Sequence, residues 1–186
     1  MRIINDMIEG AEVILSPNTS GTLSNPSLIV LHYTASGDSS DADAKYFKRK
    51  GTASAHLVIG RDGRIIQCVP FDKVAWHAGV SSWNGRSGCN RFSIGIEIDN
   101  WGLLEKRGDG NYYSHAGTKI PSDRVFVGAN KLGGGKYWEK YTEAQLDATR
   151  KVVETLTKHY SSLKEITGHE DVSPRRKIDP GPALYQ

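Results

Sequence analysis

Three side chains suited to holding a divalent cation fall in settings that a plain surface role does not explain. His32 sits inside the apolar run LIVLHYT at 28–34, just before a polar stretch of Ser, Gly and Asp. A buried imidazole needs a partner, and a metal ion is one it can take. His169 follows Gly168 and opens a turn-rich segment; ten residues on comes Asp179, between Ile178 and Pro180-Gly181-Pro182. That frame holds the carboxylate on a rigid backbone, although an Asp before Pro also serves simply to start a turn. Two imidazoles and one carboxylate leave a fourth position open on zinc. That is the catalytic arrangement, whereas a structural zinc is closed by four protein ligands. His159, near a helix end, suits the helix dipole, and His115 carries no local pattern.

Two further residues could act beside such a site. In SIGIEIDN, Ile94, Ile96 and Ile98 share one face of an extended chain, and Ser93, Gly95, Glu97 and Asp99 the other. In a central strand Glu97 would meet little water, its pKa would rise, and it would suit a general base; an edge strand would leave it in solvent. Lys177, two residues before Asp179, could stabilise an oxyanion, or belong to the solvated basic run Arg175-Arg176-Lys177.

The elements that must position these groups can be read from pattern. The runs 28–34, 55–60, 64–69 and 93–98 read as strands. Asp62-Gly63 between the second and third is a hairpin signal. Residues 41–50 run from acids to bases and read as a helix, with Gly51 beyond its end. Thr142 with Gln145 forms a capping-box pattern, and Leu146, Thr149, Val153, Leu156 and Tyr160 mark one face of a second helix. Strands interleaved with helices predict an α/β or α+β fold with one central mixed sheet flanked by helices. Residues 101–141 hold eight of the 20 glycines together with Tyr112, Tyr113, Tyr137 and Trp138. This stretch lacks periodicity and is expected to be a long ordered loop insertion.

Composition narrows the function classes. The 186 residues suit a single domain spanning 1–186, with an N-terminal extension at 1–26 and the insertion at 101–141. Lys plus Arg number 24 against 21 Asp plus Glu, a net +3. That gives little affinity for phosphates and argues against a nucleic-acid partner. No apolar run is long enough for a membrane span. Asp6, Glu9 and Glu12 interrupt the first residues, where a secretory signal would need an apolar core of about 7–15. The chain is therefore expected in the cytoplasm as synthesised, with release to the cell wall without a cleaved signal as the other route. No feature points to an obligate protein partner. Cys68 and Cys89 are expected as small buried residues, not as a disulfide.

Taken together, LHYTA at 31–35, SAHLVIGRDG at 54–63, AWHAG at 75–79, CNRFSIGIEI at 89–98 and GHEDVSPRRKIDPGP at 168–182 resemble the zinc-dependent N-acetylmuramoyl-L-alanine amidases of the type 2 amidase and peptidoglycan-recognition superfamily. The resemblance covers roughly 28–100 and 142–184, and its last block is the most specific. It implies His32, His169 and Asp179 as ligands of one Zn²⁺, Glu97 as general base and Lys177 as partner of the oxyanion. Other members carry a Tyr where this chain has Ala55, so more falls on Glu97. The pattern sets His56 on a strand below a substrate groove and His77 in a loop beside Trp76, lining or supporting it. Trp76 could pack on a sugar face, and Asn90 and Arg91 could meet substrate carboxylates. The implied partner is peptidoglycan or a muropeptide, cut between N-acetylmuramic acid and L-alanine. An endolysin-type enzyme acting on intact wall is the first reading, because the insertion could reshape the groove for a polymer. The alternative is cytoplasmic recycling of 1,6-anhydro-muropeptides. A non-catalytic peptidoglycan-binding module is a third, set against by three intact ligand positions.

Overall fold

Alternating side-chain direction along three neighbouring strands decides where a site can form. The computed structural model describes residues 1–37 and 39–185. In chain order its principal strands are β1 (Glu12–Val13), β2 (Leu28–Tyr33), β3 (Leu57–Ile59), β4 (Ile65–Gln67), β5 (Ser93–Ile98), β6 (Leu103–Lys106), β7 (Tyr112–Tyr113), β8 (Lys119–Ile120), β9 (Val125–Val127), β10 (Tyr137–Glu139) and β11 (Glu165–Gly168). The α-helices are α1 (Ser40–Phe47), α2 (Glu143–His159) and α3 (His169–Val172). The main sheet runs β11-β2-β5-β3-β4-β1. Its centre is parallel, β11 with β2, β2 with β5 and β5 with β3, while β3 and β4 form the antiparallel hairpin. Gly63 takes the left-handed φ of +82° that this Asp62-Gly63 turn requires.

Both faces of this sheet are covered, which is why β2 is apolar nearly throughout. On one face Ile29, Leu31, Leu57, Ile59, Ile94, Ile96 and Ile98 pack against Ala148, Val152 and Leu156 of α2. The helix is fixed at its start by the predicted capping box. Thr142 Oγ1 accepts from the Gln145 N–H at 3.1 Å, and Gln145 Oε1 accepts from the Thr142 N–H at 3.1 Å. The buried stripe of α2 is centred on Ala148, Val152 and Leu156, with Leu146, Val153 and Tyr160 at its margins. On the opposite face, Val58 and Ile66 pack beneath Ala44 and Phe47 of α1, and Leu28 and Val30 pack with Ala78, Phe92 and Val172. His32 and Glu97 belong to this second face by alternation. Cys68 and Cys89 are both buried and unbridged. Among the described residues, no helix is long and apolar enough to cross a membrane.

Two regions differ from expectation. Residues 101–141 are not a long loop but a five-stranded antiparallel sheet in the order β8-β7-β6-β10-β9. Its strands have only two to four residues, too few to show a period, and glycines at positive φ (Gly110, Gly117, Gly133) make its turns. The stretch before His169, which the strand pattern did not mark, contains β11, a four-residue edge strand. Residues 1–26 add β1 to the main sheet, and Thr19–Thr22 pairs with Lys73–Ala75.

A buried carboxylate ties the second sheet to the first. Glu139 is fully buried. Its Oε2 accepts the Trp101 N–H at 2.7 Å, at the start of the insertion. Its Oε1 pairs with Arg124 and, at 3.2 Å, with Arg61 of the body. Removing the carboxylate would strand both guanidinium groups and a buried N–H. Glu139→Ala should therefore lower the free energy of urea unfolding by roughly 3 kcal/mol. A loss below about 1 kcal/mol would show that Glu139 does not anchor the insertion.

Candidate active site

Strand register carries the candidate ligands to one point. In the parallel pair β2–β5, His32 stands opposite Glu97. In the pair β11–β2, Gly168 stands opposite Leu31, so His169 leaves the sheet beside His32. Asp179 returns to the same end of the sheet, where its carbonyl accepts the Glu170 N–H at 2.7 Å. Asp179 Oδ2 lies 3.0 Å from His32 Nδ1 and 2.9 Å from His169 Nδ1, and the two Nδ1 atoms are 2.9 Å apart. All three residues are buried.

The donor set suits a cation. His169 Nε2 lies 3.1 Å from the Ala78 carbonyl oxygen, which can only accept. Arg176 Nη2, which can only donate, lies farther from the same nitrogen at 3.4 Å, so the closer Ala78 contact sets the proton on Nε2 and turns an Nδ1 lone pair toward Asp179. One Asp179 carboxylate oxygen thus stands against both Nδ1 atoms. Burial pushes His32 down to about 4, so it is neutral near pH 7. Electron-rich N and O atoms facing one another at this spacing are what a metal ion with N/O preference would reconcile, and three protein ligands leave a coordination position open.

Glu97 and Lys177 line the same cleft, of about 380 Å³, with His32, His169 and Asp179. Burial raises the Glu97 carboxyl well above its usual range, the Asp179 and Asp43 carboxylates push the same way, and Lys177 opposes them. Its Oε2 is buried with no hydrogen-bond partner among the described residues. An unengaged buried carboxyl oxygen on the cleft wall is placed to take a proton from a bound molecule.

The five expected substrate residues divide. His77 lines the cleft, but both its ring nitrogens are engaged inside the protein, with His32 and Ser93. His56 is fully buried and does not line the cleft: Nε2 meets the Lys73 carbonyl at 3.0 Å and Nδ1 accepts the Gly95 N–H at 3.0 Å. It is a clamp between strands rather than a groove residue. Asn90 turns inward, its Oδ1 accepting the N–H groups of His77 at 3.2 Å and Ala78 at 2.7 Å. Arg91 is exposed and bonded to the Ser87 carbonyl at 2.9 Å. Trp76 keeps an exposed ring, with Nε1 donating to Ser20 Oγ at 3.1 Å. None of His56, Trp76, Asn90 and Arg91 is among the cleft-lining residues.

The structure adds Arg176, Asp43 and Tyr46 to the cleft wall. Arg176 was hidden in a basic run; its Nη2 donates to the Ala78 and Val80 carbonyls at 2.8 Å and so straps the 77–80 loop.

The chain matches the family model described as N-acetylmuramoyl-L-alanine amidase over residues 22–182. It is 40% identical over 132 residues to the 1,6-anhydro-N-acetylmuramyl-L-alanine amidase AmpD of Escherichia coli, covering 70% of this chain and 53% of that protein. It thus spans about half the length of the curated relatives it matches. A crystal structure of selenomethionine AmpD superposes with a TM-score of 0.71 at 31% identity, covering 98% of this chain and 94% of the other. The amidase AmiD of E. coli, in complex with anhydro-N-acetylmuramic acid-L-Ala-D-γ-Glu-L-Lys, gives a TM-score of 0.65 at 27% identity, covering 96% and 57%.

The His56 clamp has a pH signature. Burial lowers His56 from its ordinary 6.5 to about 4, so between these values the unfolded chain holds a proton that the folded chain lacks. Stability due to this residue therefore rises with pH across that window. Urea unfolding of wild type and His56→Gln should show their stability difference shifting by about 3 kcal/mol against wild type from pH 7 to pH 4. A pH-independent difference would show that His56 is not held neutral.

Proposed function

Because this chain belongs to the N-acetylmuramoyl-L-alanine amidase family, we propose that it hydrolyses the amide between the lactyl group of N-acetylmuramic acid and L-alanine, using one zinc ion. The observation that carries this reading is the meeting of His32, His169 and Asp179 with Glu97 and Lys177 in one cleft. His32 Nδ1, His169 Nδ1 and one Asp179 oxygen would hold the ion. Zinc bound there supplies Lewis acidity toward the scissile carbonyl and the attacking water.

The protein's own groups divide the remaining work. Glu97, with its pKa raised by burial, takes the proton from the attacking water and returns it to the departing nitrogen of L-alanine. The Lys177 ammonium faces the oxygen on which negative charge develops. Its flexible stem lets it follow that charge.

A soluble 1,6-anhydro-muropeptide is favoured over intact wall as substrate. The relative at 40% identity is named for the 1,6-anhydro compound. Wall lysis rested on the insertion reshaping the groove, yet residues 101–141 supply none of the residues lining the cleft.

Glu97→Gln and Lys177→Ala should each lower kcat on anhydro-N-acetylmuramyl tripeptide by about 10²-fold or more while bound zinc stays near one per chain. Chromatographic release of the free peptide measures the rate, with intact sacculi as the second substrate. Near-normal turnover by zinc-loaded Glu97→Gln would remove it as the base, and faster release from sacculi would reverse the substrate preference.

A further inference from the structure

The proton on one candidate ligand is dictated by a backbone carbonyl three links away. Ser93 Oγ lies 2.7 Å from the Cys89 carbonyl oxygen, which can only accept, so the serine donates there. His77 Nε2 lies 3.2 Å from the same Oγ and must then be the donor, with its hydrogen on Nε2. That leaves a lone pair on His77 Nδ1, which lies 3.0 Å from His32 Nε2. His32 therefore carries its hydrogen on Nε2, and its Nδ1 lone pair points at His169 and Asp179. Each step follows from which atoms possess a hydrogen, and the chain runs in one direction only.

The surroundings hold His77 in this role. It is buried, at 7% exposure, and its ring stands edge-on to His32 at 84° with centroids 5.1 Å apart. A Cβ on Gly95 would lie 2.3 Å from His77 Cγ, so the glycine within β5 leaves the space that the ring occupies. Asn90 accepts both the His77 and Ala78 N–H groups. One short loop thus presents two acceptors in succession, the His77 ring to His32 and the Ala78 carbonyl to His169.

We infer that His77 is a positioning residue: it locks His32 in the Nε2–H form, so that the Nδ1 lone pair is committed to the metal. Ser93 and the Cys89 carbonyl set the direction of that lock. This rests on the zinc reading above and deepens it. Without the acceptor, His32 could place its hydrogen on Nδ1 and bond Asp179 directly, a neutral arrangement that competes with the ion.

The test uses full-length protein and zinc titrated against a chromophoric chelator. His77→Leu removes the acceptor, and His77→Asn puts an amide oxygen where Nδ1 was. His77→Leu should weaken zinc binding about 10- to 100-fold, with His77→Asn restoring most of it. In ¹⁵N-histidine NMR of metal-free protein, wild-type His32 should show a protonated Nε2, and His77→Leu a mixture of both forms. Should His77→Leu fail to fold, as judged by circular dichroism, Ser93→Ala decides: it should weaken zinc binding and show the same mixed His32 signal. Unchanged zinc affinity and an unchanged His32 form in the folded variant, beside a wild type that binds zinc, overturn the positioning role alone. A wild type that binds no zinc overturns the metal reading and this role with it.

Discussion

The in-register parallel pairing of β11, β2 and β5 is the constraint on which the rest depends. It sets His32 opposite Glu97 and brings Gly168 opposite Leu31, so that His169 emerges at the same end. Side chains alternate strictly along a strand, so a slip of one residue in β2 would drive His32 into the apolar face beneath α2 and turn Ile29 and Leu31 toward the cleft. The large apolar area under α2 therefore does more than stabilise the sheet. It makes the wrong register expensive, and so fixes the polar face as closely as the apolar one. In open sheets with parallel strands, ligands gather at the carboxyl ends, and the cleft lies there.

That polar face concentrates groups that would be costly alone. His32, His77 and His169 lie against one another with Asp179, and Glu97 lies nearby with one oxygen unengaged. Burial keeps His32 and His77 neutral at physiological pH. The same burial that would penalise a charged imidazole thus keeps the lone pairs free that a cation needs. A surface site with the same residues would bind protons in competition with the metal; burial removes that competitor over the neutral range.

Much of this was legible in the sequence, and what was not has physical causes. The apolar run 28–34, the Asp62-Gly63 hairpin and the Thr142–Gln145 cap are local signals, and each appears where expected. Glu97 was assigned to the face opposite Ile94, Ile96 and Ile98 from alternation alone, and it occupies that face. The second sheet was unreadable because strands of two to four residues carry no period and their pairing is long-range. His56, His77 and Asn90 were placed near a groove by pattern, but whether a ring faces substrate or the interior depends on neighbours far along the chain. For His77 the neighbours are 45 residues before it and 16 after it. Gly95 was placed on the same face as Glu97, and only the His77 ring lying over it gives a reason for the missing side chain.

The glycine-rich insertion then acquires a place in the same logic. Its last strand carries Trp138, whose ring lies where a Cβ on Gly181 would sit, within 2.7 Å. Just beyond it, Tyr141 donates its hydroxyl to the Pro180 carbonyl at 2.7 Å. Pro180 and Gly181 directly follow Asp179, so these contacts grip the chain next to the carboxylate that faces both imidazoles. From the loop between β9 and β10, Lys131 pairs with Asp171 at 2.7 Å, two residues beyond His169. Glu139 meanwhile fastens the insertion to Arg61 on the hairpin side of the body. The second sheet therefore touches the segment carrying His169 and Asp179 without lining the cleft. Trp138 lies in a strand paired on both sides, with Leu103 and with Phe126, and that pairing holds its ring against Gly181. The glycines at the turns allow strands so short to pair at all, and the pairing gives Trp138 its footing.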